Sequence, residues 1–515
     1  MKRILTTLVG LPLLFAGWGC TDFNDDYEPL DNPVAPDAEV TFDVYGTSDG
    51  YGDVPLSSIY KVKVSQNGIS RETVVFQSTC PQWQLGYMDM TETDKYPLGI
   101  FEGRSISWTN FSFSGEVEVE VEVLDQNKVP VGSDVRILPR RYGIEPVVEG
   151  NKISFTLSSP GQCSVEIGSE GYKNGLMIFA DPRESDAPSA EDPSYLVLDK
   201  ASAQDVAAVS SEYSGLYFKP GVHDIGVYKV PANVKNIYME GGAWVYGSLI
   251  MDGRSDVRIF GRGVLSSGRM KYRETHCIEA VNNSNRITLE GIVVADPKYF
   301  SVRLIGVDNK VSWIKVIGSW TYNCDGISAF HNSVVSNCFI WANDDNIKTY
   351  RDNVKFHDIV CWQLNNGGLI QMNWGGAQAT GVEIRRVDLL HAEWNNSERN
   401  RGILSCVGDK YQAGTNGWSK NWIIEDLVTE TPVSLVFRVS PYDYSPCAVD
   451  GLHLKDWDIL YDGTFKNYMV GMSAEKKIKG VVFDNVKFNG TSLTSANWRT
   501  VGKFETDNIE EPTFK

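Results

Sequence analysis

Two hydrophobic patterns divide the chain. Between residues 40 and 180, apolar and polar positions alternate over short runs. The plainest is EVEVEVEV at 116–123, where Val117, Val119, Val121 and Val123 share one face and glutamates the other. Period two predicts a strand with one face in a core and the other in water. TVVFQS (73–78), SWTNFSFSG (107–115), VRIL (135–138), NKISFTL (151–157), CSVEI (163–167) and LMIFA (176–180) predict further strands, at the spacing of a β-sandwich. Residues 40–180 are expected to form that domain. Residues 181–214 read as a linker: a charged, Pro-rich seam, then SAQDVAAVSSEYS (202–214), a short helix with Ser202 as its N-cap.

From residue 215 the pattern changes. Short β-branched triplets recur between Gly, Asn and Asp turns: Ala243-Trp244-Val245, Gly263-Val264-Leu265, Ser301-Val302-Arg303, Gly326-Ile327-Ser328, Asn346-Ile347-Lys348 and Leu369-Ile370-Gln371. Second strands such as KVSWIKVIG (310–318) and VKFHDIVCW (354–362) lie between them, leaving no room for the helices of a doubly wound fold. One such repeat per coil is the signature of a parallel β-helix, in which an inward apolar residue on each strand stacks on the next coil. The fold expected is all-β: an N-terminal β-sandwich, then a right-handed parallel β-helix over 215–505 and a tail at 506–515.

The N-terminus carries an address. Lys2 and Arg3 precede an apolar run from Ile4 to Ala16, and small residues lead to Cys20. That run is too short to span a hydrocarbon core of about 30 Å. Residues 1–19 read as an export signal and Cys20 as a lipidation site, resembling a bacterial lipobox. Residues 20–39 form a tether, whose Asp22, Asp25 and Asp26 resemble the surface-export signal of Bacteroidetes lipoproteins. An outer-membrane or cell-surface location is expected, with the lipid as the only membrane attachment and periplasmic or secreted forms as alternatives. The other cysteines form no CxxC pair and no metal-ligand spacing, so no metal or cofactor is implied.

Charge narrows the partners. The 515 residues hold 48 Lys+Arg against 66 Asp+Glu, a net charge of -18. Binding nucleic acid needs clustered cations, so this balance argues against it and favours uncharged partners. A monomer is expected.

The chemistry concentrates at two coil ends. One contains Asn323-Cys-Asp325-Gly-Ile327, the next Asn343-Asp344-Asp345-Asn-Ile347-Lys348. Aligning Ile327 with Ile347 stacks Asp325 on Asp345 at a coil spacing of about 4.8 Å, with Asp344 beside them. Clustered carboxylates repel, so one acid should stay protonated near neutrality while another accepts a proton. That is the division of labour of a glycosidase, and water activated opposite the leaving group would invert the anomeric centre. Asp and Asn also serve as plain turn residues in such coils. Three clustered negative charges are less easily explained that way.

Asn323-x-Asp325 and Asn343-Asp344-Asp345, followed by Ile347-Lys348-x-Tyr350, resemble glycoside hydrolase family 49, the dextranase and isopullulanase family. The likeness extends upstream through SWTNFSFSG, GNKISF, LMIFADPRE, YFKPGVHDIG and NIYMEGGAWVYGSL. The resemblance implies that Asp344 protonates the glycosidic oxygen while Asp325 and Asp345 position and deprotonate water. The polygalacturonases of family 28 are relatives on the same β-helix. Their Gly-His-Gly and the Arg-x-Lys that holds a uronate carboxylate do not stand beside these acids, which favours a neutral glycan.

Sugar rings lie on Trp or Tyr faces, and amides and imidazoles read hydroxyls. Trp320, Tyr322, Asn323, His331, Asn343, Lys348, Tyr350, Trp362, Gln371, Asn373 and Trp374 are the candidate substrate contacts, while His276, His357 and His391 read as structural. The function expected is inverting hydrolysis of an α-glucan of the dextran or pullulan kind. The alternatives are a polygalacturonase-like hydrolase, in which Lys348 and Arg303 would supply cations, and a surface glycan-binding lipoprotein without turnover.

Overall fold

The computed structural model describes residues 40–80, 101, 103–372, 376–397, 400–406, 416–440 and 447–515. The export signal, Cys20 and the tether lie outside the described residues, as do Asn373 and Trp374.

Among the described residues the sandwich has two sheets. The outer one, of five strands, runs Ile69–Thr73, Tyr60–Gln66, Val117–Val123, Lys152–Leu157, Val147–Glu149, all antiparallel. In it the alternating valines of Val117–Val123 are buried and the intervening glutamates face outward. The inner sheet, of six strands, centres on Ser105–Phe113, which pairs in parallel with Leu176–Pro182. Every residue of Ser105–Phe113 is buried. Phe111 and Phe113 enter the sandwich core, while Ile106 and Trp108 enter a second core shared with the solenoid. A sheet covered on both faces loses the alternation of buried and exposed positions, as this strand does although its residue types still alternate. The run at 73–78 is two strands, Ile69–Thr73 in the outer sheet and Phe76–Thr79 in the inner one, because the chain crosses between sheets at Val74 and Val75.

The expected helix at 202–214 shrinks to Ala203–Ala207, where Ser202 and Asp205 form a reciprocal capping box. Among the described residues a sheet of 29 strands, opening before that helix with Tyr195–Leu198 inside the expected linker, winds as a parallel β-helix and is antiparallel only at the hairpin of Lys479–Phe488 with Thr491–Ser492. The triplets do not all belong to one stack. Val302, Ile327, Ile347 and Ile370 pair in order and continue through Leu404 to Phe437. Trp244 and Val264 stack with Val293 on another face. A coil has several sides, and a triplet alone does not say which side it occupies.

The second core fixes the sandwich to the solenoid. Trp108 stacks near Trp244 with ring centroids 6.1 Å apart, and Trp341 lies on Trp362 at 4.6 Å. Inside this contact Lys315 Nζ meets Asp181 Oδ2 at 2.6 Å, both fully buried, with Arg262 Nε 3.7 Å from the same oxygen. Removing one member of such a group strands the others without water or a counter-charge, at a cost of about 3–5 kcal/mol. Asp181→Ala should therefore lower the thermal midpoint clearly, while Asp43→Ala, at an exposed pair with Arg183, should leave it nearly unchanged. A calorimetric scan of both variants checks this.

Candidate active site

Backbone register builds the site. Ile327 pairs with Ile347 and Ile347 with Ile370, so the turns entering these strands lie one above another. Gly326 N–H donates to Asp345 O at 2.9 Å, and Asp344 N–H to Cys324 O at 3.2 Å. The next turn comes equally close: at Gly367, whose φ is +77°, a Cβ would sit 2.4 Å from Asp344 C and Asp345 N. Only glycine fits that crossing.

The alignment of coils brings Asp325, Asp344 and Asp345 together, with one oxygen of each within 4.8 Å of the others and all three side chains buried. Lys348 Nζ bonds Asp325 Oδ2 and lies 3.0 Å from Asp345 Oδ2. Three such oxygens could also hold a metal ion, and the Lys348 ammonium supplies a positive charge to two of them. Asp345 Oδ1 accepts from Gly368 N–H at 2.8 Å. Asp344 Oδ1 accepts from Asp345 N–H at 3.0 Å and its Oδ2 from Asn366 Nδ2 at 2.6 Å, with Asn323 Nδ2 at 3.5 Å. Asp325 Oδ1 is buried and accepts no hydrogen bond among the described residues.

Burial and then the Asp345 charge push Asp344 up to about 6, against the pull of Lys348 and Arg401. Burial likewise drives Asp325 upward against the pull of Lys348. Burial alone would lower Lys348, but the charges led by Asp325 lift it well above the usual lysine range. Asp344, its hold on a proton strengthened, thus stands beside two carboxyls tied to one cation, and clustered carboxyls in unlike surroundings can divide acid and base roles.

Of the candidate contacts, Asn343 holds the turn: its Nδ2 donates to Trp320 O at 2.6 Å and its Oδ1 accepts from Asn366 N–H at 3.2 Å. Asn323 receives a bond from Tyr272 Oη at 3.1 Å. Tyr350 is near the acids, with Lys348 Nζ 5.8 Å from its ring centroid. Gln371 pairs with Lys348 in register and its amide bonds Asn400. Trp320 and Trp362 are corrections. Both are buried toward the sandwich, where Trp320 Nε1 donates to Ser78 Oγ and Trp362 Nε1 to Glu393 Oε1, so neither ring offers a face to sugar. A trace of sequence cannot show that one side of the coil is covered by another domain. His331 sits past the far end of its strand, its carbonyl accepting from Asp308 N–H.

Other residues adjoin the site, among them His276, which the sequence alone reads as structural. Asn366 and Gly367 follow from extending the alignment by one more coil. His276 stacks on Tyr299 at 4.2 Å and meets Phe300, whose ring centroid is 4.5 Å from Lys348 Nζ. Burial, with the charges of Arg303 and Lys348, lowers His276 to about 3, so it stays neutral. A row of outward positions, Glu279, Arg303, Ser328, Lys348, Gln371, Ser405, Arg438 and Tyr468, runs from coil to coil across the site. No motif marks this row, because it exists only as register.

A β-sandwich on a parallel β-helix, with buried carboxyls clustered where successive coils turn, defines the class: a solenoid protein with a site suited to acid–base chemistry. Residues 45–167 match the N-terminal Ig-like domain of glycosyl hydrolase family 49. The chain is 25% identical to a dextranase of Arthrobacter globiformis over 484 residues, 79% of this chain and 75% of that protein. It is 22% identical to the isopullulanase of Aspergillus niger over 517 residues, 88% and 89% of the two. In three dimensions it resembles Dex49A from Penicillium minioluteum with a TM-score of 0.74 at 19% identity, over 92% of this chain and 96% of that one. The resemblance to family 49 therefore holds in both sequence and fold.

Proposed function

We propose that the protein is a glycoside hydrolase that cleaves α-glucosidic bonds in a dextran- or pullulan-like glucan. The observation that carries this reading is the group of three buried carboxyls with oxygens within 4.8 Å, of which Asp344 keeps its proton up to about pH 6. The glycoside hydrolase relatives support it, among them dextranases and an isopullulanase.

In this reading Asp344 donates its proton to the departing glycosidic oxygen. Asp325 and Asp345, oriented by Lys348, hold a water and take its proton; Asp325 Oδ1, with no other partner among the described residues, is the acceptor of choice. Attack by that water from the face opposite the leaving group inverts the anomeric carbon. The oxygens are closer than the roughly 6.5–9.5 Å of most inverting pairs and nearer the roughly 5–5.5 Å of retaining ones. Against a covalent step, the Lys348 ammonium engages both Asp325 and Asp345 and lowers the nucleophilicity of each. Acidic glycans fit less well: Lys348 is spent on the acids, and Arg303 Nη1 bonds Glu279 Oε1 at 2.5 Å.

Export belongs with a polymeric substrate. The sequence at Cys20 supports a lipid-anchored surface enzyme, for which radiolabelled palmitate should mark the wild type and not Cys20→Ala.

Asp344→Asn should reduce kcat/KM on dextran or pullulan by roughly 10²–10⁴-fold with little change in substrate binding, whereas polygalacturonate should remain intact with either form. Reducing-end release measures this, and full activity in the variant would remove Asp344 from its role. NMR of the first product should show the inverted anomer; a retained one would overturn the water mechanism. The pH profile follows from the sign of the shift. Asp344 is protonated below about 6, so activity is present there and falls as pH rises through that value. Lys348→Met removes a charge that holds Asp344 down, and should move this alkaline limb of the residual activity to higher pH.

A further inference from the structure

We infer that Cys406 and Cys447 form a disulfide that staples two neighbouring coils of the solenoid. Their sulfurs lie 3.6 Å apart, both buried in the solenoid core. Cys406 ends the strand Leu404–Cys406, and Cys447 opens Cys447–Ile459, where it stacks on Gly417 of the preceding coil. An S–S bond is about 2.05 Å long, so the sulfurs need to approach by about 1.5 Å. Cys447 Sγ also lies 3.6 Å from Ala448 O, but two other buried cysteines meet a carbonyl oxygen more closely: Cys324 Sγ at 3.0 Å from Pro297 O and Cys338 Sγ at 3.1 Å from Ser336 O.

The bridge would close a ring of chain that holds the strands Gly417–Thr429 and Phe437–Val439. It borders the outward row at Ser405 and Arg438, so it would tie down the coils on one side of the acids. A covalent tie stabilises chiefly by restricting the unfolded chain, and it suits a solenoid whose coils otherwise hold only their neighbours. The thiols lie too deep for rapid attack, and the Cys447 sulfur together with burial keeps Cys406 in its thiol form. The bond therefore closes when local opening admits an oxidant. With glutathione disulfide, one cysteine thiolate displaces a glutathione thiolate to give a mixed disulfide. The second cysteine then displaces the other, so two protein thiols are oxidised and one glutathione disulfide is reduced to two thiols.

This inference stands apart from the hydrolase reading. The folded full-length chain should be incubated with millimolar glutathione disulfide below its melting temperature. It is then denatured in N-ethylmaleimide, digested and mapped by mass spectrometry. Expected is a cross-linked peptide joining Cys406 to Cys447, two hydrogens lighter than the reduced pair, and a thermal midpoint that falls by several degrees on adding reductant. Cys406→Ser and Cys447→Ser should lose both the cross-link and the response to reductant. Recovery of both cysteines carrying N-ethylmaleimide, or each carrying glutathione, would overturn the proposal.

Discussion

Everything at the site depends on the in-register parallel stacking of one coil on the next. Ile327 over Ile347 over Ile370 is an apolar contact repeated inside the solenoid, fixed because a slip by one residue would turn every inward side chain out to water. The same register decides which polar residues share the outer edge. Asp325 stands by Asp345 because Ile327 stands on Ile347, so packing of the core and placement of the chemistry are one constraint.

That constraint creates an electrostatic problem. Three carboxyls held together and cut off from water repel each other strongly, and the chain answers it in three ways. Lys348 joins Asp325 to Asp345, backbone N–H groups of Asp345 and Gly368 donate to the acids, and Asp344 holds its proton. Each response is local, and together they leave unlike groups side by side. The glycine at 367 makes this possible by letting a third turn press on the acids' backbone.

The sandwich acts on the site indirectly. It covers one side of the solenoid with a tryptophan-rich core and a buried Lys315–Asp181 pair, which confines open surface to the other sides. Trp320 shows the consequence: it adjoins the acidic turn in sequence, yet its ring is committed to Ser78 and the sandwich. The aromatic groups near the acids are instead Phe300, Tyr299 and Tyr350, brought there from different coils.

Much of this was legible in the residues. Alternating valines announced the outer sheet of the sandwich, and Asn-Asp turns before Ile327 and Ile347 announced both the coils and the acids, because period and turn chemistry are local properties. The break at Val74 and the short helix at Ala203–Ala207 were less legible, since each depends on what the segment packs against. The sequence by itself determined the fold class, the three acids and their common edge, for a repeat of one coil length already implies stacking. Only the tertiary structure decided that Lys348 serves the acids, that Trp320 faces the sandwich, that His276 and Asn366 join the site and that Cys406 meets Cys447. Those outcomes turn on which side of a coil each residue occupies and what covers it, and neither is written into a single repeat.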